Sequence, residues 1–242
     1  MVSLEEKYKK ENLQNHIYNT PDTYVGGCDL ISETLPIYDK VNDKIVEKEM
    51  EYIPALYNIY NEILVNAKDQ VTRLSGLHAS DKSIQLVTEI KVEFNVEKGE
   101  ISIMNNGDGI DVAEHPKEKK NGKPIYIPQL IFGELVTSTN YHKDEQKVVG
   151  GKNGYGAKLT NIFSKSFKLE TVDRQRKKKY TQLFRGNMNI IQKPKITDYT
   201  GKPYTTITWQ ADFKRFGIES YSDDMIHLIM RRVYALAGIT DK

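Results

Sequence analysis

The sequence predicts an α+β fold, in which antiparallel hairpins and two long amphipathic helices share one core. Three observations predict this class. Residues 53–71 repeat apolar side chains at helical spacing, residues 90–103 and 167–184 alternate apolar and polar side chains as half-buried strands do, and residues 226–237 return to helical spacing. Because hairpins pair neighbouring strands, the sheet should be mostly antiparallel.

Composition sets limits on the function. The 242 residues suit one large domain, or one and a half, and a hydrophobic share of 38% is enough for a substantial core. The net charge of +2 gives no overall attraction to nucleic acid or membrane. The single cysteine, Cys28, cannot form an intrachain disulfide, which favours a reducing compartment. We see no membrane-spanning stretch and no signal peptide, so we expect an intracellular protein without a membrane partner.

The first 50 residues are predicted to be peripheral. The charged residues 5–12 have little to bury and are typical of an arm or strap, Pro21 and the glycines after it indicate a turn, and residues 35–50 have the pattern of a weak surface hairpin. We expect no chemistry in this part and assign the core to residues 51–242.

The helix predicted over residues 53–71 carries a polar stripe beside its apolar face. Glu62, Asn66 and Asp69 are spaced four and three residues apart, so they lie on one side of the helix. The stripe is either a solvated flank of the helix or the edge of a cleft that holds a base and a metal ligand. The helix alone does not decide between them.

The segments between the hairpin at 90–103 and the next helix are predicted to be turns and loops. Asn105, Gly107 and Gly109 follow the second strand of the hairpin at 90–103, where a plain turn is the simpler interpretation. The charged residues 114–124 predict a solvated loop, and residues 127–135 predict a short helix with a proline in its first turn.

Residues 150–158 are rich in glycine, with four glycines in the seven residues from Gly150 to Gly156. Glycine lets successive backbone N–H groups converge on an anion such as a phosphate, and a helix starting directly after the loop would add to that attraction. The alternative is a flexible surface loop. The small polar residues Thr137 to Asn140 precede it, so residues 130–160 resemble a lid over a polar ligand.

The remaining residues predict strands and a final helix. A basic turn at 174–179 joins the strands around Phe167 and Tyr180 and is expected to be a hairpin tip, with only a weak indication of DNA contact. Residues 205–209 form a β-branched strand. The last helix has Ser222 as its candidate N-cap and Gly238 as its end.

Three separated segments resemble, in order, the motifs of the GHKL ATPases: Glu62-x-x-x-Asn66-x-x-Asp69, Asn105-x-Gly107-x-Gly109 and Gly151-x-x-Gly154-x-Gly156. Residues 61–67, 137–141 and 150–159 are similar to eukaryotic-type DNA topoisomerase II, and residues 20–24 and 231–234 strengthen the resemblance. It runs from about residue 8 to the end of the chain. The implied fold is the GHKL (Bergerat) two-layer sandwich, a mixed, mostly antiparallel sheet with helices packed on one face.

The resemblance assigns roles residue by residue. Glu62 would be the general base that orients a water and accepts its proton. Asn66 would bind Mg²⁺ through its amide oxygen. Asn105 stands where most GHKL members have an aspartate that recognises the adenine amino group, and Gly109 would let the backbone pass beside the base. The other expected nucleotide contacts are Ser138, Thr139, Asn140, Gly151, Lys152, Asn153, Gly154, Tyr155, Gly156, Ala157, Lys158 and Thr205.

One of these positions departs from the pattern. Lys152 stands where animal and fungal enzymes of this family usually have arginine, so a bidentate phosphate contact becomes a point charge. We expect binding to survive this change.

The implied function is that of the N-gate of a type IIA topoisomerase, a domain that binds and hydrolyses ATP with Mg²⁺. Residues 1–242 would form a single ATPase domain without the transducer and the DNA-cleavage core, so slow hydrolysis and no DNA cleavage are expected of this chain. Two copies would form a homodimer when ATP binds, double-stranded DNA would be the partner of the whole enzyme, and the location would be the nucleus or a site of viral DNA replication.

Three other interpretations stay open. A chaperone-type or mismatch-repair ATPase would keep the three motifs but need not contain residues 137–141. A nucleotide-sensing module would bind without turnover, with Glu62 as a metal ligand or a structural residue. A DNA-binding domain would act through residues 174–179.

Overall fold

The computed structural model describes residues 11–39, 41–135 and 155–240. In chain order the helices and strands are α1 (Leu13–Asn19), α2 (Pro21–Tyr24), β1 (Ile31–Asp39), β2 (Lys44–Tyr52), α3 (Pro54–Ser80), β3 (Ile90–Asn95), β4 (Glu100–Asn105), β5 (Glu114–Lys120), β6 (Lys123–Tyr126), α4 (Ile127–Gly133), α5 (Gly156–Ile162), β7 (Ser164–Asp173), β8 (Lys178–Arg185), β9 (Ile190–Ile191), β10 (Lys195–Asp198), β11 (Thr205–Ala211) and α6 (Asp223–Gly238). A short 3₁₀ helix, Phe213–Phe216, follows β11.

The central sheet has seven strands in the order β10-β8-β7-β11-β4-β3, with β9 paired to β8. Every strand pair among the described residues is antiparallel. The predicted α+β class with a mostly antiparallel sheet is therefore confirmed. Hairpins at 90–105 and 164–185 stand where the alternation of side chains predicts them, because each strand buries one face only.

Helix α3 covers the inner face of this sheet. Its buried side chains recur at helical spacing from Ala55 to Leu74, and the ring of Tyr60 lies 6.5 Å from that of Trp209 on β11. Burying each large side chain of this kind contributes about 1.5–3 kcal/mol relative to exposure. The helix continues to Ser80, beyond the predicted end at residue 71. Its last turns are mostly exposed, so they carry little apolar spacing that the sequence could show.

Part of the first 50 residues packs on the core, although the sequence predicts this region to be peripheral. Ile17 of α1 is fully buried, the ring of Tyr18 stacks on Phe163 with centroids 5.8 Å apart, and the Tyr18 hydroxyl donates to Asp212 at 3.0 Å. Strands β1 and β2 form the predicted hairpin, which is more regular than expected and extends over 31–52. Residues 1–10 lie outside the described residues.

One predicted element is wrong. Residues 114–124 were expected to form a solvated loop, but they form most of the β5–β6 hairpin, whose turn carries Asn121 and Gly122 at positive φ. The charged side chains of β5 are exposed, and β6 buries only Ile125, so the two strands show no alternating pattern in the sequence.

The helices that flank the sheet follow their predicted signals. Helix α4 begins next to Pro128, and the Ser222 hydroxyl accepts a hydrogen bond from Met225 N at 3.2 Å as the N-cap of α6. Gly238 is the last residue of α6, as predicted. Among the described residues, no helix combines the length and the apolar character that crossing a membrane would require.

Candidate functional site

A cleft opens between α3 and the inner face of the sheet. The space between its walls is about 480 Å³, a volume that includes open solvent. Apolar walls come from Ile63, Ala67, Ile103, Ile110, Phe132 and Ile207, and polar groups come from Asn66, Gln70, Arg73, Asn105, Asp108 and Thr205. An apolar cleft with a few convergent polar groups is the usual form of a small-molecule site.

Asn105 is the most informative side chain in the cleft. The alternation of β4 places it on the same face as Ile101 and Ile103, and its residue exposure is only 5%. Its Oδ1 atom is buried and has no hydrogen-bond partner in the described part of the chain. A buried acceptor without a partner costs about 1–3 kcal/mol. Such an atom in a cleft is suited to accept a hydrogen bond from a ligand.

Asn105 is one of three polar residues that the strand register aligns in a row across the sheet. Thr205 on β11 is paired with Asn105 on one side and with Thr171 on β7 on the other. The Thr171 and Thr205 hydroxyl oxygens are 2.8 Å apart. The row lies at the end of a sheet face that is mostly apolar. Asn105 and Thr205 are site residues that the sequence predicts, whereas Thr171 is not, because only the pairing of β7 with β11 aligns it with them.

Packing of the loop on the sheet requires glycine at position 109. A Cβ at this position would lie 2.0 Å from the Val172 carbonyl oxygen and 2.8 Å from Thr171 Oγ1. Real Cβ atoms do not approach backbone so closely, so glycine is required for the loop to pack on β7. Gly107 differs, because a Cβ there would meet the side chains of Leu74 and Val87 rather than backbone. Contact of Gly109 with a nucleotide stays a prediction.

Glu62 and Asn66 meet the start of α5. A Cβ on Gly156 would lie 2.0 Å from Glu62 Oε2 and 3.7 Å from Asn66 Nδ2. The polar stripe of α3 therefore faces the described end of the glycine-rich segment, and the interpretation of the stripe as a solvated flank is not supported. Burial raises the pKa of the Glu62 carboxyl above its ordinary value of 4.5, and the charge of Asp69 adds to the shift. A raised pKa of this kind is common for catalytic bases.

The rest of the glycine-rich segment is described only in part. Tyr155 precedes α5, Ala157 is buried, and Lys158 is 1% exposed within the helix. Burial lowers the pKa of Lys158 to about 8, against an opposing effect of the Glu134 charge. Seven predicted contact residues lie outside the described residues: Ser138, Thr139, Asn140, Gly151, Lys152, Asn153 and Gly154.

The basic turn at 174–179 is a hairpin tip, as expected, but most of its charges are paired. Arg174 is bonded to Asp108, Arg176 to Asp111 and Asp173, Lys178 to Asp198, and Lys179 to Glu170. These pairs reduce the positive charge that the turn presents to solvent and weaken the indication of DNA contact.

Known proteins that are similar to this chain match it over almost its whole length. The DNA topoisomerase 2 of Acanthamoeba polyphaga mimivirus is 44% identical over 243 residues, which cover 99% of this chain. The crystal structure of the ATPase region of Saccharomyces cerevisiae topoisomerase II matches with a TM-score of 0.88 and 41% identity, over 98% of this chain and 59% of that one. The ATPase and transducer domains of DNA topoisomerase II from Balamuthia mandrillaris match with a TM-score of 0.86 and 38% identity, over 97% and 58% of the two chains.

The coverage of the longer relatives is small. This chain spans 18% of the mimivirus protein and 14% of the DNA topoisomerase 2 of Penicillium chrysogenum. No protein-family profile matches the chain. The predicted resemblance and the GHKL fold are nevertheless confirmed, because the similarity in sequence and the similarity in structure cover almost all of this chain. Over almost all of its length the chain is homologous to the ATPase region of DNA topoisomerase II.

Proposed function

We propose that the chain binds ATP in the cleft and hydrolyses it, as the ATPase domain of a type II DNA topoisomerase. The observation that carries the proposal is the buried Asn105 Oδ1 atom, which has no hydrogen-bond partner among the described residues and lies on an apolar cleft. The 6-amino group of adenine supplies the donor that this acceptor needs. Ile103, Ile110 and Ile207 supply apolar walls for the flat base.

The chemistry is assigned to the stripe on α3. Glu62 orients the attacking water and accepts its proton, which requires the ionised carboxylate. Asn66, one turn further along, would hold Mg²⁺ through its amide oxygen, and the chemistry that a bound ion would supply there is neutralisation of charge on the phosphates. Both side chains adjoin Gly156, so the described end of the glycine-rich segment lies beside the place proposed for the phosphates.

The remaining contacts are proposed from the family resemblance. Ser138, Thr139 and Asn140 would contact the ribose and phosphates, Gly151 to Gly154 with Tyr155, Gly156, Ala157 and Lys158 would close over the triphosphate, and Thr205 would support the adenine end through the row that it forms with Asn105. The Thr171–Thr205 contact supports the last of these assignments.

A pair of substitutions tests the proposal. Glu62→Gln keeps the shape of the side chain but cannot accept a proton, so hydrolysis should fall about 100-fold or more while ATP affinity stays near that of the wild type. Asn105→Ala should weaken ATP binding instead. Titration calorimetry with a non-hydrolysable ATP analogue and a phosphate-release assay measure the two quantities.

The outcomes separate the competing functions. Unchanged hydrolysis in the Glu62→Gln variant would contradict the role of Glu62 as base. ATP binding without any turnover by the wild-type chain or by a longer chain carrying a transducer would favour a nucleotide-sensing module.

The partners are proposed from the same resemblance. ATP binding would drive two copies together as a homodimer that closes the N-gate, double-stranded DNA would pass through the gate of the whole enzyme, and the site of action would be the nucleus or a site of viral DNA replication. Light scattering should find a monomer without nucleotide and a larger dimer fraction with the non-hydrolysable analogue. An equally tight dimer without nucleotide would contradict an ATP-dependent gate.

A further inference from the structure

The loop between β4 and β5 carries part of the cleft wall, and the turn between β7 and β8 contacts it. We use the name cleft loop for residues 106–112. Asp108 and Ile110 of this loop line the cleft. Arg174 Nε donates to Asp108 Oδ1 at 3.0 Å, and the Arg174 guanidinium also donates to the backbone carbonyl of Ser83. One guanidinium therefore connects the cleft loop to the segment that leads from α3 to β3.

Arg176 makes a second connection. Its Nη1 atom contacts Asp111 of the cleft loop and donates to Asp173 Oδ2 at 2.8 Å. The Asp173 side chain is only 4% exposed. It also accepts hydrogen bonds from Val112 N at 2.8 Å and from Arg176 N at 2.9 Å. Hydrogen bonds to an ionised carboxylate are stronger than neutral ones, so Asp173 holds the end of the cleft loop against β7.

The middle of the cleft loop is held by β7 itself. Ile110 N donates to Thr171 Oγ1 at 3.0 Å, and the missing side chain of Gly109 allows the loop to lie on the Val172 carbonyl. Thr171 belongs to the polar row that contains Asn105 and Thr205. The loop is thus fixed at both ends and in the middle. Asn106 bonds to Thr88 and Glu89 at one end and Val112 N bonds to Asp173 at the other, and the arginines of the basic turn add an ion pair near each of these ends.

We propose that Arg174 and Arg176 are positioning residues for nucleotide binding, which hold the cleft loop in its binding conformation. The inference rests on the proposed function, since it assumes that the cleft binds ATP. Arg174 also neutralises Asp108, a carboxylate on the wall of a cleft whose proposed ligand is an anion. The basic turn therefore serves the nucleotide site, and the ion pairs of its arginines compete with contacts to DNA phosphates.

Two double variants remove the same charge from the same turn. Arg174→Gln/Arg176→Gln removes both connections to the cleft loop. Lys177→Gln/Lys178→Gln is the matched control, because Lys178 pairs with Asp198 on β10, away from the cleft loop, and Lys177 stands at the tip of the turn. The wild-type chain and both variants are titrated with a non-hydrolysable ATP analogue, assayed for hydrolysis and tested for retention of a DNA duplex.

The arginine variant should weaken nucleotide binding about fivefold to tenfold, the range expected from two partly exposed charged contacts. Its kcat at saturating ATP should stay near that of the wild type, because Glu62 is untouched. A merely structural role would instead lower the fraction of active protein and reduce kcat without raising KM. The lysine variant should bind nucleotide like the wild type.

A double-mutant cycle tests the mechanism. If the arginines act through Asp108 and Asp111, the loss of affinity on removing them should be much smaller in an Asp108→Asn/Asp111→Asn background. A loss of the same size in both backgrounds would overturn the proposal. So would equal nucleotide affinity of the arginine variant and the wild type, or equal loss of DNA retention in both turn variants with unchanged nucleotide affinity. Failure of the wild-type chain to bind nucleotide would overturn the proposed function itself, a result that is separate from these.

Discussion

The unpaired oxygen of Asn105 destabilises the ligand-free fold, and a ligand that donates a hydrogen bond to it can remove this effect. Its buried oxygen has no partner in the described part of the chain, although its backbone is held between β3 and β11. Polar atoms left in this state are often found at functional sites, where the partner is a ligand. The same atom should also select the base of the nucleotide, because it can accept a hydrogen bond only from a base that carries a donor at this position.

Asn105→Ala should reduce the affinity for ATP about tenfold while leaving the thermal stability of the ligand-free chain unchanged or slightly higher, since the substitution removes an unsatisfied acceptor. Titration against ATP and against a purine ribonucleoside triphosphate without the 6-amino group measures the effect. The wild type should prefer ATP and the variant should not. Retained preference for ATP in the variant would show that another group reads the amino group.

Glu62 is predicted to make the stability of the chain depend on pH. Burial raises the pKa of its carboxyl in the folded state, so the folded state favours the neutral form. The contribution of this group to stability is therefore complete below its ordinary pKa of 4.5 and is lost as the pH rises through the raised folded value. At neutral pH the ionised group destabilises the fold.

Glu62→Gln should consequently raise the unfolding free energy at neutral pH and have little effect in acid. Urea unfolding at several pH values measures the difference between the two proteins, and Glu93→Gln, at an exposed carboxylate on β3, serves as the control. A Glu62→Gln variant less stable than the wild type at neutral pH would mean that the carboxylate makes a stabilising contact.

At the scale of elements, the junction between α3 and α5 determines whether the base is free to act. Gly156 is the first residue of α5, and its Cα lies against the carboxylate of Glu62. The obstructing atom is the end of a flexible side chain, so an added methyl group can displace it without moving the helices. Gly109 differs, because an added Cβ there would meet backbone.

Gly156→Ala is expected to fold but to hydrolyse ATP more slowly, since the methyl group displaces the Glu62 carboxylate. Gly76→Ala on α3 is the control: nothing lies within 4 Å of its added Cβ, and the change should stabilise the helix by about 0.5–1 kcal/mol without affecting hydrolysis. Circular dichroism melting and phosphate release are the measurements. Wild-type hydrolysis by Gly156→Ala would show that Glu62 does not need its present position.

On the scale of the whole molecule, the cleft lies between α3 and the central sheet, so a ligand that contacts both should stabilise the fold. Only the folded chain has the cleft, and binding to the folded state alone adds stability in proportion to the logarithm of ligand concentration. At 100 times the dissociation constant the gain is about 2.7 kcal/mol, or roughly 5–10 °C in melting temperature for a chain of this size.

The melting temperature, measured with MgATP and in a separate sample with EDTA, tests this expectation. The wild type and Glu62→Gln should both melt at higher temperature with MgATP. Asn105→Ala should gain about half as much at the same nucleotide concentration, because a tenfold loss of affinity leaves about 1.4 kcal/mol of the gain. A melting temperature independent of ATP in the wild type would contradict nucleotide binding in the cleft.

Local periodicity in the sequence determined much of this protein by itself. Helical spacing placed Glu62 and Asn66 on one side of α3, and the alternation of β4 placed Asn105 on the buried face, because both patterns depend only on neighbouring residues. The tertiary structure decided the rest. Only the antiparallel register joins Asn105, Thr205 and Thr171 in one row, and only the packing of the basic turn brings Arg174 to Asp108, 66 residues apart in sequence. Register and ion pairing depend on contacts between distant segments, which leave no repeating pattern along the chain.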